Sequence, residues 1–330
     1  MASRTNLSSA LQDYRELQNP VASSAGADSV RSQSDLVSRY YDVVTPFYEY
    51  AWGTSFHFSP RHAGERLATA QRLHEEGVGR LLDLRPGMQV ADVGCGVGGP
   101  LVTIARATGA SITGINNNAH QIRRGEASLS RAGLEASCRF LLADFMNVPL
   151  PEGHFDAAYS FEAMCHAPDT GRLFAEIFRL LRSGGEIAAI DWCLTERFDA
   201  ADGRHRDVRE RIESGNATPD LLATRQQVEA AEAAGFEVLT ATDQAATSDP
   251  GTPWYLSLQG RDASLSSFAR TPAGRRLTAA ATAVLERLRI VPAGTAEAAE
   301  LLNVAADALV EGGELGIFTP GFLVHARKPR

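Results

Sequence analysis

The stretch that most constrains this chain runs from Met88 to Ala105. Met88, Val90 and Val93 form a short apolar, partly β-branched run that reads as a buried strand. Gly94, Gly96, Gly98 and Gly99 follow at once, where the chain turns tightly with no Cβ in the way. Pro100 suits the first turn of a helix, Leu101, Ile104 and Ala105 give that helix an apolar face, and Gly109 ends it. A strand, a glycine loop and a helix in that order present bare backbone N–H groups and a helix N-terminus to a ligand.

The glycine spacing narrows the choice of ligand. Asp92 stands two residues before Gly94, and the later third glycine of the dinucleotide fingerprint is not matched. The run Asp92-Val93-Gly94-Cys95-Gly96-Val97-Gly98-Gly99 resembles the first motif of class I S-adenosylmethionine-dependent methyltransferases. The alternative is a glycine turn that only lets a helix pack on a strand, and the elements downstream argue against it.

Those elements alternate. A second strand reads from Ala110 to Ile115, a helix from Ala119 to Ala132 closed by Gly133, and a third strand from Cys138 to Leu142. Phe155 to Tyr159 reads as a fourth strand, Thr170 to Leu181 as a helix closing at Ser183-Gly184-Gly185, and Glu186 to Trp192 as a fifth strand. This rhythm predicts an α/β fold, a doubly wound, Rossmann-like parallel sheet with ligands at the carboxyl ends of its strands. Residues 85–244 are assigned to that core. Phe236 to Ala241 is a sixth strand, helices at 274–289 and 296–310 belong to a helical substrate cap over 245–312, and the second of them closes at Gly312-Gly313. A final strand at Ile317 to Ala326 returns to the core within 313–330. Residues 1–35 read as a mobile arm with a short helix at Leu11 to Leu17, ordered structure beginning near Leu36, and 36–84 as a helical, aromatic lid.

Composition removes several function classes. A net charge of −8 argues against general nucleic-acid binding, and no apolar run approaches the roughly 20 residues that span a bilayer. No signal segment is evident, so the expected location is cytoplasmic, at most peripheral to a membrane surface. Cys95, Cys138, Cys165 and Cys193 are widely spaced, with no Cys-x-x-Cys pair and no histidine cluster, which reads as buried thiols and no metal site. Assembly into a homo-oligomer stays open.

Aromatic residues, only 7% of the chain, crowd one segment: Tyr40, Tyr41, Phe47, Tyr48, Tyr50, Trp52, Phe56 and Phe58. An aromatic mini-core under a lid explains this, and so does a pocket whose ring faces stabilise positive charge; the two are compatible. The whole set of motifs resembles the sterol 24-C-methyltransferases, from about Tyr40 to Pro329. The matching pieces are Phe47 to Phe58, Asp92 to Pro100, Gly114 to Asn118, Glu162-Ala163-Met164-Cys165-His166-Ala167-Pro168, Phe236 to Leu239, Pro253-Trp254-Tyr255, and the closing Phe318-Thr319-Pro320 with Ala326 to Pro329. The chain departs from that family at Pro46, usually an acid, at Ala51, a glycine, and at Met164, usually threonine.

The resemblance implies S-adenosyl-L-methionine as cofactor and methyl transfer to an alkene of an apolar isoprenoid, a sterol side chain first, through a carbocation that then loses a proton. C-methylation of a non-sterol terpenoid or prenylated metabolite is the runner-up. O- or N-methylation of a small acceptor, a lipid-binding protein that has lost catalysis and a nicotinamide oxidoreductase rank lower. Cofactor contacts are assigned to Asp92, which faces the methionine amine through water, to Gly94, Cys95, Gly96 and Gly98, to Asn116 or its neighbour Asn117 at the ribose, to Asp144 at the adenine amino group, and to Gln121, Phe145 and Glu162. At the reacting carbon, rings from Tyr48, Tyr50, Trp52 and Phe56 surround the cation and Glu162 is the nearest acid. His166 relays or accepts the proton, His57 stands beside the rings, and Glu49 or Glu65 orients the substrate's polar end.

Overall fold

The computed structural model describes residues 27–260, 271–288 and 290–330, preceded by Leu7, Leu11, Gln12, Tyr14 and Glu16. Helix α1 (Ala27–Trp52) is followed by α2 (Leu67–Leu81), β1 (Gln89–Val93), α3 (Gly99–Thr108), β2 (Ser111–Asn116), α4 (Ala119–Ala132), β3 (Arg139–Leu142) and β4 (Phe155–Phe161). Then come α5 (Thr170–Leu180), β5 (Leu181–Leu194), α6 (Gly203–Gly215), α7 (Thr224–Ala233), β6 (Glu237–Asp243), α8 (Pro272–Arg287), α9 (Thr295–Leu315) and β7 (Phe318–Arg327).

The strands form one sheet in the order β3-β2-β1-β4-β5-β7-β6. Strands β1 to β5 are parallel, as the alternating pattern predicts, while β7 runs antiparallel to both β5 and β6. The parallel expectation therefore fails at that edge. Helices α8 and α9 lead the chain from β6 back to the sheet, where β7 inserts between β5 and β6. The order reverses between β1 and β4, which opens a crevice at their carboxyl ends. Leu173, Phe174 and Ile177 of α5 and Ala231 of α7 cover one face of the sheet; Val78 of α2, Leu101 and Ile104 of α3 and Leu129 of α4 cover the other. Each of these larger side chains contributes about 1.5–3 kcal/mol of burial.

Capping fixes the element ends. Asn118 accepts the Gln121 N–H at the start of α4, Asp169 accepts the Arg172 N–H at the start of α5, and Gly109 and Gly133 close α3 and α4 in the left-handed conformation. Three boundaries differ from the sequence reading. Helix α1 begins at Ala27, not near Leu36, and the arm is not free of the core: Leu11 and Tyr14 are buried in a cluster with Tyr40, Val43 and Val44. Leu11, Gln12, Tyr14 and Glu16 are helical, and the rest of the stretch expected to be helical up to Leu17 lies outside the described residues. Strand β5 begins at Leu181 and bulges through Ser183-Gly184-Gly185 before pairing again at Glu186.

Helix α9 does not close at Gly312-Gly313 but continues to Leu315, capped by Gly316. The two glycines serve packing instead. A Cβ on Gly313 would lie 2.4 Å from Tyr255 Cδ1 and 2.8 Å from Trp254 Cζ2. The rings of the Trp254–Ser257 turn thus press onto the α9 backbone, which glycine alone permits.

Candidate active site

The crevice at the carboxyl ends of β1, β2 and β4 is a cleft of about 820 Å³. Gly94 and Cys95 follow β1; their N–H groups both reach the Ile115 carbonyl on β2, at 2.9 and 3.2 Å. A Cβ on Gly94 would strike Ala163 at 2.3 Å, and one on Gly98 would strike the Phe140 ring at 2.6 Å, so the loop is packed tight from behind. At Gly96 the nearest atom is 3.9 Å away, so bare backbone faces the cleft there. Asp92 lies at the floor, 2% exposed, with Oδ2 unpartnered; burial, reinforced by nearby Glu75, pushes its carboxyl up to about 8. A buried acid oxygen with no partner, beside a glycine cradle, fits a ligand that brings a cationic amine.

The other expected cofactor contacts line the same cleft: Cys95, Asn116, Asn117, Gln121, Asp144, Phe145 and Glu162. The asparagines do more structural work than the sequence reading gave them. Asn116 Nδ2 donates to Gly96 O at 3.3 Å and to Gln121 Oε1 at 2.9 Å, which spends both amide protons, and its Oδ1 accepts the Asn117 N–H at 3.1 Å. Asn117 and Asn118 donate to Ser34 and Ser38 of α1, and Gln121 Nε2 donates to Thr45 Oγ1, tying α1 over the cleft. Gly98 does not line the cleft; in the left-handed conformation at φ 78° it turns the chain into α3.

A second, apolar chamber of about 330 Å³ adjoins the cleft. Its walls are Tyr48 and Trp52 from α1, Phe56 and Phe58 from the loop after it, Trp192 from β5 and Leu309 from α9, with Asn216. Tyr48 packs against Trp52 and Phe56, at 5.7 and 5.5 Å between centroids, and Phe58 meets Trp254 edge to face at 5.0 Å, so the lid and the cap segments touch there. Phe56, His57 and Glu162 line both spaces. Tyr50 lies on α1, but its side chain falls outside the described residues.

Glu162 sits just past β4, where its φ of +50° is rare for a residue with a Cβ and costs about 1–3 kcal/mol. Its Oε1 accepts the Phe58 N–H at 2.5 Å and its Oε2 accepts the Trp192 Nε1–H at 2.8 Å. Burial pushes the Glu162 carboxyl well above the usual range and buried Asp191 adds to this, while the two donors pull it back. The result is an acid held rigidly at the junction of cleft and chamber.

The loop that delivers Phe58 is fastened from α2. Gln71 Nε2 donates to the Ser55 carbonyl at 2.7 Å, and Glu75, one turn on, takes the His57 Nε2–H at 3.0 Å. His57 Nδ1 donates to the Phe58 carbonyl at 2.8 Å, and the ring stacks on Phe161 at 4.6 Å. Burial pushes the Glu75 carboxyl up, but His57, Ser55 and Thr103 more than offset this and hold it below the ordinary carboxylate range.

Three expected roles fail on contact geometry. Glu49 points outward from α1 and is paired with Arg124 of α4, so it does not reach the chamber. Glu65 accepts the His62 N–H within its own surface turn. His166 is held on both ring nitrogens, with Nδ1 on the Ala217 carbonyl at 3.3 Å and Nε2 on the Tyr41 hydroxyl at 3.0 Å, so neither faces the acceptor, and burial pushes its pKa down to about 4. Sequence reasoning also missed groups that the fold makes central: Tyr41, Gln71, Glu75, Asp191 and Trp192. Trp192 at the end of a strand carried a signal, an aromatic at the ligand edge of the sheet. Gln71 and Glu75 carried none, because they sit in an ordinary amphipathic helix.

The sheet order, the glycine cradle and the acid of β1 define a class I S-adenosylmethionine-dependent methyltransferase. The chain belongs to the sterol methyltransferase family: residues 265–330 match the family model for the sterol methyltransferase C-terminal region, and residues 91–189 match that for the methyltransferase domain. It is 45% identical over 296 residues to cycloartenol-C-24-methyltransferase of Arabidopsis thaliana, covering 90% of this chain and 88% of that one. It is 39% identical over 303 residues to sterol 24-C-methyltransferase of Saccharomyces cerevisiae, covering 90% and 79%. Among solved structures, the [4+2]-cyclase SpnF superposes with a TM-score of 0.66 at 23% identity, covering 90% of this chain and 96% of that one. Geranyl diphosphate C-methyltransferase from Streptomyces coelicolor A3(2) gives 0.63 at 15% identity, covering 88% and 98%. These two likenesses speak for the fold alone. The enzyme is an S-adenosylmethionine-dependent methyltransferase, and among the described residues no helix is long and apolar enough to cross a membrane.

Proposed function

We propose that the enzyme methylates an alkene carbon of an isoprenoid acceptor, a sterol side chain in the first instance, at the junction of the cleft and the aromatic chamber. The observation that carries this reading is Glu162, a buried carboxyl between the two spaces, held by Phe58 N–H and Trp192 Nε1–H and surrounded by rings. The names of the relatives supply the acceptor class, and the mostly aromatic and aliphatic walls of the chamber support it.

In the cleft, whose lining includes Asp92, Gly96, Asp144 and Phe145, bare backbone at Gly96 would receive the cofactor, Asp92 would answer its amine, and Asp144 and Phe145 would hold the adenine end. When bound, S-adenosylmethionine would supply an electrophilic methyl group, its S–CH3 bond breaking with the electron pair kept on sulfur and neutral S-adenosylhomocysteine as the leaving group. The π pair of the alkene forms the new C–C bond, so no side-chain nucleophile has to be activated; orientation by Phe56 and His57 supplies much of the rate. A tertiary cation then remains on the substrate. The ring faces of Tyr48, Trp52 and Phe56 stabilise it by about 1–2 kcal/mol each in this desolvated setting. Glu162 carries the compensating negative charge and takes the departing proton, since His166 is closed to it.

The lid over 36–84 and the described residues of the cap over 245–312 close the chamber in this reading, and the enzyme works in the cytoplasm, at most peripheral to a membrane that stores its apolar substrate. The test is an assay with labelled methyl donor on a panel of Δ24-sterols, linear terpenes and prenylated compounds. Turnover of a Δ24-sterol is expected. Methylation of hydroxyl or amine acceptors only would refute the alkene reading, and turnover of linear terpenes alone would replace the sterol.

A further inference from the structure

Asn216 is the one carboxamide on the chamber wall among the described residues, 3% exposed, and neither the aromatic cage nor the Glu162 holding contacts involve it. It caps the C-terminal end of α6, and its Nδ2 donates to the Ile212 carbonyl one turn back, at 2.8 Å. That bond fixes the amide orientation, because a flipped carboxamide would set oxygen against oxygen. Oδ1 accepts no hydrogen bond among the described residues. The next residue, Ala217, takes a left-handed φ of +52°, and its carbonyl is pinned by Gln33 Nε2 at 3.0 Å and His166 Nδ1 at 3.3 Å. The loop is therefore held from both sides, and the carboxamide enters a space otherwise lined by rings, Leu309, His57 and Glu162.

An amide oxygen without a donor is a poor choice for an apolar chamber, since burying an unpaired polar atom costs stability. It is a good choice where positive charge develops and water must be kept out, because a fixed dipole needs no reorganisation and cannot react with a cation as water would. We propose that the Asn216 carboxamide oxygen is a fixed negative pole for the cationic carbon formed in the chamber, acting on charge and not on proton transfer. This inference rests on the alkene-methylation reading above.

The test compares two acceptor analogues by calorimetry in the presence of S-adenosylhomocysteine. One carries a protonated nitrogen at the position of the cationic carbon, and the other is its uncharged carbon counterpart. The wild type favours the ammonium analogue. Asn216→Leu loses about tenfold of that preference and about tenfold in kcat, while KM, affinity for the uncharged analogue and cofactor affinity stay unchanged. Asn216→Asp, which keeps an oxygen facing the chamber, retains the preference. An unchanged preference in a folded Asn216→Leu, or equal weakening for both analogues, overturns the proposal and leaves Asn216 a packing or substrate-binding group. If the wild type itself shows no preference for the cation, the proposal also falls. The alkene reading is then judged separately by the methyl-transfer panel.

Discussion

Glu162 and Asp92 are both buried acids, but the groups around them set them to different tasks. Glu162 is needed as a carboxylate only once positive charge has formed on the acceptor, so Glu162→Gln should lower kcat with little change in either KM. The expected loss is about 2–3 kcal/mol of transition-state stabilisation, roughly 30- to 150-fold in kcat. Because burial raises its pKa, the acid limb of the kcat profile should lie above the ordinary carboxylate range and disappear in the glutamine variant. A wild-type limb at the position of a free carboxylate would contradict this account. Asp92 is mostly protonated at pH 7 without cofactor, because its pKa is about 8. An incoming ammonium group favours the carboxylate, so binding should release a proton and affinity should rise between pH 6 and 8. Calorimetry in buffers of different ionisation enthalpy reads this directly, and Asp92→Asn should abolish the proton release.

At the scale of elements, helix α1 is the working part of the lid. It contributes Ser34, Val37 and Tyr41 to the cofactor cleft and Tyr48 and Trp52 to the chamber, so closing one space also builds the other. Its attachment runs through Asn118, whose Oδ1 caps α4 at 2.8 Å while its Nδ2 donates to Ser38 O and to Asp42 Oδ1, both at 2.9 Å. Asn118→Ala should cost about 1–2 kcal/mol in denaturant unfolding, the usual range for a lost helix cap. It should also weaken cofactor binding, because α1 is freed from the cleft. Stability loss with unchanged cofactor affinity would show that α1 is held by its apolar face alone.

Across the whole molecule, the buried titratable groups pull stability in opposite directions with pH. His166 and His74 have pKa values pushed down to about 4 and about 3 by burial. Below pH 6.5 the unfolded chain protonates these rings and the folded chain does not, so their contribution is lost as pH falls from 6.5 towards 4. For His166 this is about 3 kcal/mol. Asp92 and Asp191, raised to about 8 and about 7, act the other way over the same interval, because the folded chain holds protons that the unfolded chain releases. The difference between wild type and His166→Gln isolates one contribution. In urea unfolding at stepped pH, the variant should gain on the wild type by about 3 kcal/mol between pH 6.5 and 4. A constant difference would mean that the ring is protonated in the folded state.

The sequence by itself determined the backbone of the cofactor half. Strand, glycine loop and helix are local patterns; Gly94 and Gly98 must be glycine wherever the chain packs this closely, and Gly109 and Gly133 end helices by their own conformational freedom. Glu162 was legible too, through the motif around it. What the tertiary structure decided is which side chains face one another. Phe58 and Glu162, Glu162 and Trp192, His57 and Glu75 are far apart in the chain and meet only through sheet order and lid closure. The same long-range packing turned Glu49 toward Arg124, neutralised His166 and set Asn216 at the chamber wall. Helical and strand periodicity is written in nearest neighbours, whereas the field at a buried carboxyl sums over every group the fold gathers around it, and no local pattern in the chain encodes that sum.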